Sequence, residues 1–173
     1  MTTPIAKDTH TGLALSLPPG WHQADQDAFA LVLIDGNPGA ASTFTPNIVA
    51  TVVQLLEGDD LLSFTERTTS AWLESSNGVL VHVGTAPTDD FDGRETVVLY
   101  SEGSLGLAVH TLLFVENGLG TRIDSTFRVW DAPEGVTLAP FLLNGFTPPH
   151  TAPVAQATAE QLSQLLGEEA TRD

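Results

Sequence analysis

No cysteine occurs among the 173 residues. That excludes disulfides, thiolate metal ligands, a catalytic thiol and a lipidated cysteine. Cations are nearly as scarce: six Lys and Arg stand against 22 Asp and Glu, a formal net charge of −16 at pH 7. Such a surface repels nucleic acid and anionic membrane, both of which recruit cationic faces. It leaves open an acidic partner-binding face or a cationic partner, general solubility being the plainer reading. No long uncharged apolar run is present, so no transmembrane segment is expected. Met1 to Leu17 shows neither a cationic n-region nor an apolar h-region, which reads as cytoplasmic.

Catalytic and cofactor signatures are missing as well. There is no Gly-x-Ser-x-Gly elbow, and Gly103-Ser104-Leu105-Gly106 falls in a hairpin turn. Gly118-Leu119-Gly120 has no helix after it, so phosphate or dinucleotide binding has no support. His10, His22, His82, His110 and His150 are scattered, with no His-Glu-x-x-His spacing. His82 and His110 fall in different strands of one meander; sharing a face, they could hold zinc with a carboxylate such as Asp124. Hydrogen bonding at a core edge is the commoner use, and no metal or cofactor is expected. Asp89, Asp90 and Asp92 lack a twelve-residue calcium loop and read as a solvated turn. A non-enzymatic domain is therefore expected, the alternative being a small-ligand or hydrolytic site in a pocket between sheet and helices.

What is present is a strong α+β pattern. Ile48 to Leu55 is β-branched and apolar on both parities, which predicts a central strand covered on both faces. Gly12 to Leu17 and Ala28 to Ile34 predict two earlier strands, the first stopped by Pro18-Pro19-Gly20. Asp59 or Asp60 is an N-cap, Leu61, Phe64, Thr68 and Trp72 recur at helical spacing, and Asn77-Gly78 is a left-handed stop. A helix over residues 60–76 follows, with Trp72 toward the sheet. From Gly78 to Trp130 the chain reads as a meander, with Asn117-Gly118 as its clearest hairpin turn. Thr137 is expected to cap a short helix, Leu138 to Asn144, with Pro140 in its first turn. Pro148 to Pro153 reads as a semi-rigid linker. Beyond it Val154, Thr158, Leu162, Leu165 and Leu166 form an amphipathic stripe.

Ser-Leu-Pro-Pro-Gly-Trp (Ser16 to Trp21) and Phe-Thr-Pro-Asn-Ile-Val-Ala-Thr-Val (Phe44 to Val52) resemble the actinobacterial LpqN-like lipoproteins of the PsbP-like superfamily. The following helix, the meander with Asp-Gly before a strand ending in Tyr100, and the closing Gly145-Phe146 agree with it. The resemblance spans roughly residues 12–147. It implies an antiparallel sheet of about seven strands flanked by helices, with a C-terminal helix appended. It also implies a binding or scaffold role, since relatives include photosystem subunits, a Ran-binding transport factor and chaperones of secreted effectors. The matching positions are turn and core residues, so no catalytic residue carries over. The domain is accordingly drawn as residues 1–147, with 148–173 as linker and helix.

Arg94, Arg122 and Arg128 are half of the cations and fall in the meander. Arg122, Asp124, Thr126, Arg128 and Trp130 share parity and should project from one sheet face. Cross-strand ion pairs would explain them. The sharper reading is a cationic platform taking a partner's carboxylate. With Leu162, Leu165 and Leu166 of the C-terminal stripe, these arginines are the candidate partner-binding residues.

Overall fold

The computed structural model describes residues 3–37 and 44–153. A hairpin opens the chain, β1 (Ile5–Lys7) pairing with β2 (Ala14–Ser16). There follow β3 (Trp21–Gln23), β4 (Leu31–Asp35), β5 (Asn47–Gln54) and the helix α1 (Leu61–Ser76). The meander is β6 (Val79–Thr85), β7 (Gly93–Glu102), β8 (Leu105–Glu116) and β9 (Leu119–Arg128). A 3-10 turn, Val129–Asp131, leads into α2 (Ala132–Leu143). β3 to β9 form one seven-stranded antiparallel sheet in the order β3-β4-β5-β9-β8-β7-β6.

One face of that sheet carries the main core. Leu33, Ile48, Ala50, Leu112, Phe114 and Ile123 pack with Leu13 and Leu15 from the β1–β2 hairpin, Leu142 from α2 and Phe146 just past it. Alternate residues of a strand point to opposite faces, so these positions fall at every second residue of β4, β5, β8 and β9. Phe114 is the hub: its ring centroid is 4.6 Å from that of Phe146 and 6.5 Å from that of Phe91. Gly93 lies directly beneath it, where a Cβ would strike the ring. On the other face α1 packs over β7 and β8, with Phe64 against Leu55 and Leu113.

α1 keeps to its sequence signals. Asp60 is the N-cap, its carboxylate accepting from Ser63 N at 2.8 Å while Ser63 Oγ accepts from Asp60 N at 2.9 Å, a reciprocal capping box. Asn77 ends the helix at φ 50°, a left-handed conformation that Asn tolerates well. Trp72 does face the sheet, half-buried, its ring centroid 5.7 Å from that of Tyr100.

Three expectations need correcting. β5 is third from one edge rather than central, and Ile48, Ala50 and Val52 are buried while Val49, Thr51 and Val53 are half-buried. Its apolar residues on both parities therefore mark one full core face and one partly covered face. The second helix starts at Ala132, six residues before Leu138, with Pro133 in its first turn. Gly135 hides that start in the sequence, yet a Cβ there would sit 2.9 Å from the Phe127 ring, so the glycine serves close packing. Pro140 consequently lies inside the helix, where it offers no N–H to the carbonyl of Val136, an exposed residue. Finally, Trp130 leaves the β9 face, because the strand ends at Arg128 and the chain turns. Leu162, Leu165, Leu166 and the rest of the C-terminal stripe lie outside the described residues.

Candidate functional site

The arginines come first, since sequence reasoning singled them out. Arg122 and Arg128 do share a face of β9, as their parity requires. Cross-strand pairing sets Leu113 opposite both Arg94 and Arg122, which aligns the three across β7, β8 and β9. Arg122 is engaged internally: its Nε and Nη2 each lie 2.5 Å from Oδ2 of the buried Asp124. Asp124 also accepts from Thr111 Oγ1 at 2.7 Å. The Arg122 guanidinium lies over the Trp72 ring, 5.2 Å from its centroid, a cation–π contact that reinforces the pair. Arg128 binds Asp131 at 2.7 Å. Arg94 makes no ion pair with any described residue, so among the described arginines it alone keeps an unpaired guanidinium.

The histidines form a second cluster on the opposite face. β6, β7 and β8 align His82, Val97 and His110 side by side. The carboxylate between the imidazoles belongs to Glu95, one step along β7, while Asp124 projects from the other face. His82 Nε2 lies 2.9 Å from Glu95 Oε1, and His110 Nε2 lies 3.0 Å from Oε2. His110 is buried and its Nδ1 has no partner; His82 is about half exposed. Gly84 makes room for the contact, since a Cβ there would be 2.8 Å from His82 Nε2. No group of three or more His, Asp or Glu among the described residues has metal-holding geometry. The arrangement is a hydrogen-bonded chain that ties an edge strand to a buried residue two strands inward.

That edge strand is the third feature, and sequence reasoning missed it. β6 ends the sheet, so one side of its backbone pairs with β7 and the other with no described strand. Six of its seven residues are exposed, and its only titratable side chain is His82. Val79 is 64%, Val81 52% and Val83 55% exposed, a run of neighbouring apolar residues rather than singly scattered ones. A register shift between Leu80 and His82 makes Val81 a bulge. The far edge of the sheet differs: β3 has three residues, and its Gln23 side chain reaches Lys7 O at 3.4 Å. A cleft of about 330 Å³ lies in the Thr85–Gly93 turn at the end of β6, lined by turn residues rather than by sheet and helices.

These features sit on a fold of known type. A seven-stranded antiparallel sheet between α1 on one face and α2 with an N-terminal hairpin on the other is the PsbP-like α+β architecture. Cyanobacterial PsbP (CyanoP) from Synechocystis sp. PCC 6803 is similar in structure, with a TM-score of 0.62 over 86% of this chain and 94% of that one, at 12% identity. LpqN, involved in cell envelope biogenesis of Mycobacterium tuberculosis, is similar at a TM-score of 0.63 over 87% and 93%, with 13% identity. The expected LpqN-like and PsbP-like fold is thus present, and at these identities the likeness establishes fold. No family model and no curated protein matches the sequence. No described helix is long and apolar enough to cross a membrane.

Proposed function

We propose that the chain is a non-enzymatic protein-binding domain and that β6 is its docking edge. The single observation carrying this reading is the exposure of Val79, Leu80, Val81 and Val83 on a strand whose outer side meets no described partner. An edge strand presents a row of backbone donors and acceptors, and proteins usually blunt such edges with Lys, Pro or inward-pointing charge. β6 carries none of these along seven residues, and its one edge device is the bulge at Val81. A partner's extended segment would add a strand, with backbone bonds supplying affinity and the side chains alongside supplying selection. The arginines take a smaller part than the sequence suggested, because Asp124 and Asp131 already occupy Arg122 and Arg128. Arg94 remains available, opposite Thr85 at the end of β6.

Site-specific photo-crosslinking tests the reading. A photoreactive residue placed at Val81 should give a discrete adduct in native-host extract, while the same residue at exposed Gln23 on the far edge should not. Equal labelling at both sites, or none at Val81, would remove the assignment.

A further inference from the structure

The open edge also specifies what kind of segment it takes. We propose that β6 accepts, as an eighth strand, an extended segment of another protein in which β-branched residues are interspersed with Lys or Arg. This rests on the reading of β6 as the docking edge and adds the chemistry of the occupant.

Shape comes first. The bulge at Val81 leaves Leu80 opposite Val98 and His82 opposite Val97, so apolar side chains of β6 emerge toward both faces of the sheet. An incoming strand would set its own side chains beside Val79 on one face and beside Leu80 and Val83 on the other. β-Branched residues fill such pleated, half-covered positions best.

Charge selects next. The turn leaving β6 carries the exposed acids Asp89, Asp90 and Asp92. Exposed Glu74 precedes the strand by one helical turn and the stop, and exposed Glu102 lies just past Leu99, the partner of Val79. Arg94 is the one cation on the neighbouring strand. Acids thus flank an apolar strand that has no Asp, Glu, Lys or Arg of its own, on a molecule of net charge −16, and a cationic segment is the complement that speeds encounter and fixes register.

The same features disfavour the other two occupants. A second copy would bring its own acidic ends and a net charge of the same sign to the contact. The chain's own residues 154–173 are rich in Ala, Gln, Glu and Leu, with Val154, Thr158 and Thr171 as their only β-branched members. That composition favours helix over strand.

The full chain, isotope-labelled, is titrated with a synthetic peptide of Val-Thr pairs separated by single Lys residues, which sets β-branched side chains on both faces of an extended strand. Two controls replace every Lys by Glu, or every Val and Thr by Gly at equal charge. Expected are saturable amide shifts and slowed hydrogen exchange confined to residues 79–85, with binding at least tenfold weaker for each control. Affinity for the Lys peptide should also fall as salt rises from about 0.1 M to about 1 M, where the Debye length shrinks from ~10 Å to ~3 Å. Val83→Lys, at an exposed position, should weaken the Lys peptide at least tenfold without unfolding the domain. Equal binding of the Glu peptide at residues 79–85 would overturn the charge selection and leave the docking edge standing. Equal effects of the Gly peptide would overturn the shape selection. Protection of 79–85 that grows with protein concentration in the absence of peptide would make a second copy the occupant. Shifts from the Lys peptide that map away from β6 would overturn both this inference and the docking edge itself.

Discussion

Tyr100 is the only tyrosine in the chain, so its titration can be followed without assignment. Its phenol is held between the Trp72 ring and the sheet, half-buried. Burial pushes its pKa up from 10.0 to about 12, and the negative charges of Glu102 and Asp124 add to the rise. All three causes act against the phenolate. The unfolded chain therefore ionises first, and folding stability is fully present below pH 10.0, then lost as pH rises toward about 12. Absorbance of tyrosinate against pH, with circular dichroism recorded in parallel, should show a transition near 12 or coincident with alkaline unfolding. Trp72→Ala uncovers the ring and should lower the folded value most, because burial is the largest cause. Glu102→Gln should lower it less, and Tyr100→Phe should weaken the alkaline loss of stability. A clean transition at 10.0 in the still-folded protein would show that Trp72 does not cover the phenol. The packing of α1 on β7 described above would then be wrong.

Phe114→Ala should cost about 3–5 kcal/mol, the scale for truncating a fully buried phenylalanine, and lower Tm by roughly 6–20 °C for a chain of this size. Urea unfolding decides it, and a loss below about 1 kcal/mol would mean that the Phe91–Phe114–Phe146 cluster is not the hub of the core. A chain ending at Pro153 should stay folded within about 0.5 kcal/mol of the full chain, because Phe146 closes the core and His150 N still donates to Thr11 O at 2.9 Å. Failure of that shorter chain to fold would make the stretch beyond 153 integral to the domain and dissolve the boundary drawn near residue 147.

Local chemistry made much of this fold legible. Asp60, Asn77 and the intervening apolar spacing define α1 because capping and left-handed turns are properties of single residues. Asn117 and Gly118, at φ 53° and φ 75°, form the expected hairpin turn, and that turn alone fixes the register that sets Thr111 opposite Asp124. The Glu102–Leu105 turn likewise places His110 opposite Val97, with Glu95 one step along. The carboxylate between the histidines could have been found from register, and choosing Asp124 instead overlooked which face it occupies. β1 and β3 were not legible, since three residues carry no period. Nor was the edge position of β6. Its Val-Leu-Val-His-Val reads like a core strand, and strand order is decided by which elements cover the sheet, which no local pattern records.

What keeps β6 on the sheet bears on how it would work. A strand that buries no apolar side chain gains little from hydrophobic packing, so its attachment rests on the β7 ladder and on side-chain ties. The tie that reaches inward is His82 to Glu95 to buried His110, and Gly84 is the residue that leaves space for it. β6 is thus held from one side, at a defined register, by groups that leave its outer backbone and both apolar faces unobstructed. The elements of lowest local stability are those with few buried contacts and exposed backbone bonds. An added strand would supply a second ladder to a strand that has one, so binding and local ordering of β6 would be the same event. On the proposed docking, the bulge at Val81 would have two roles. It interrupts a flat edge that would invite unselective pairing, and it offsets the residues on either side so that only a segment matching both halves can pair along the whole strand.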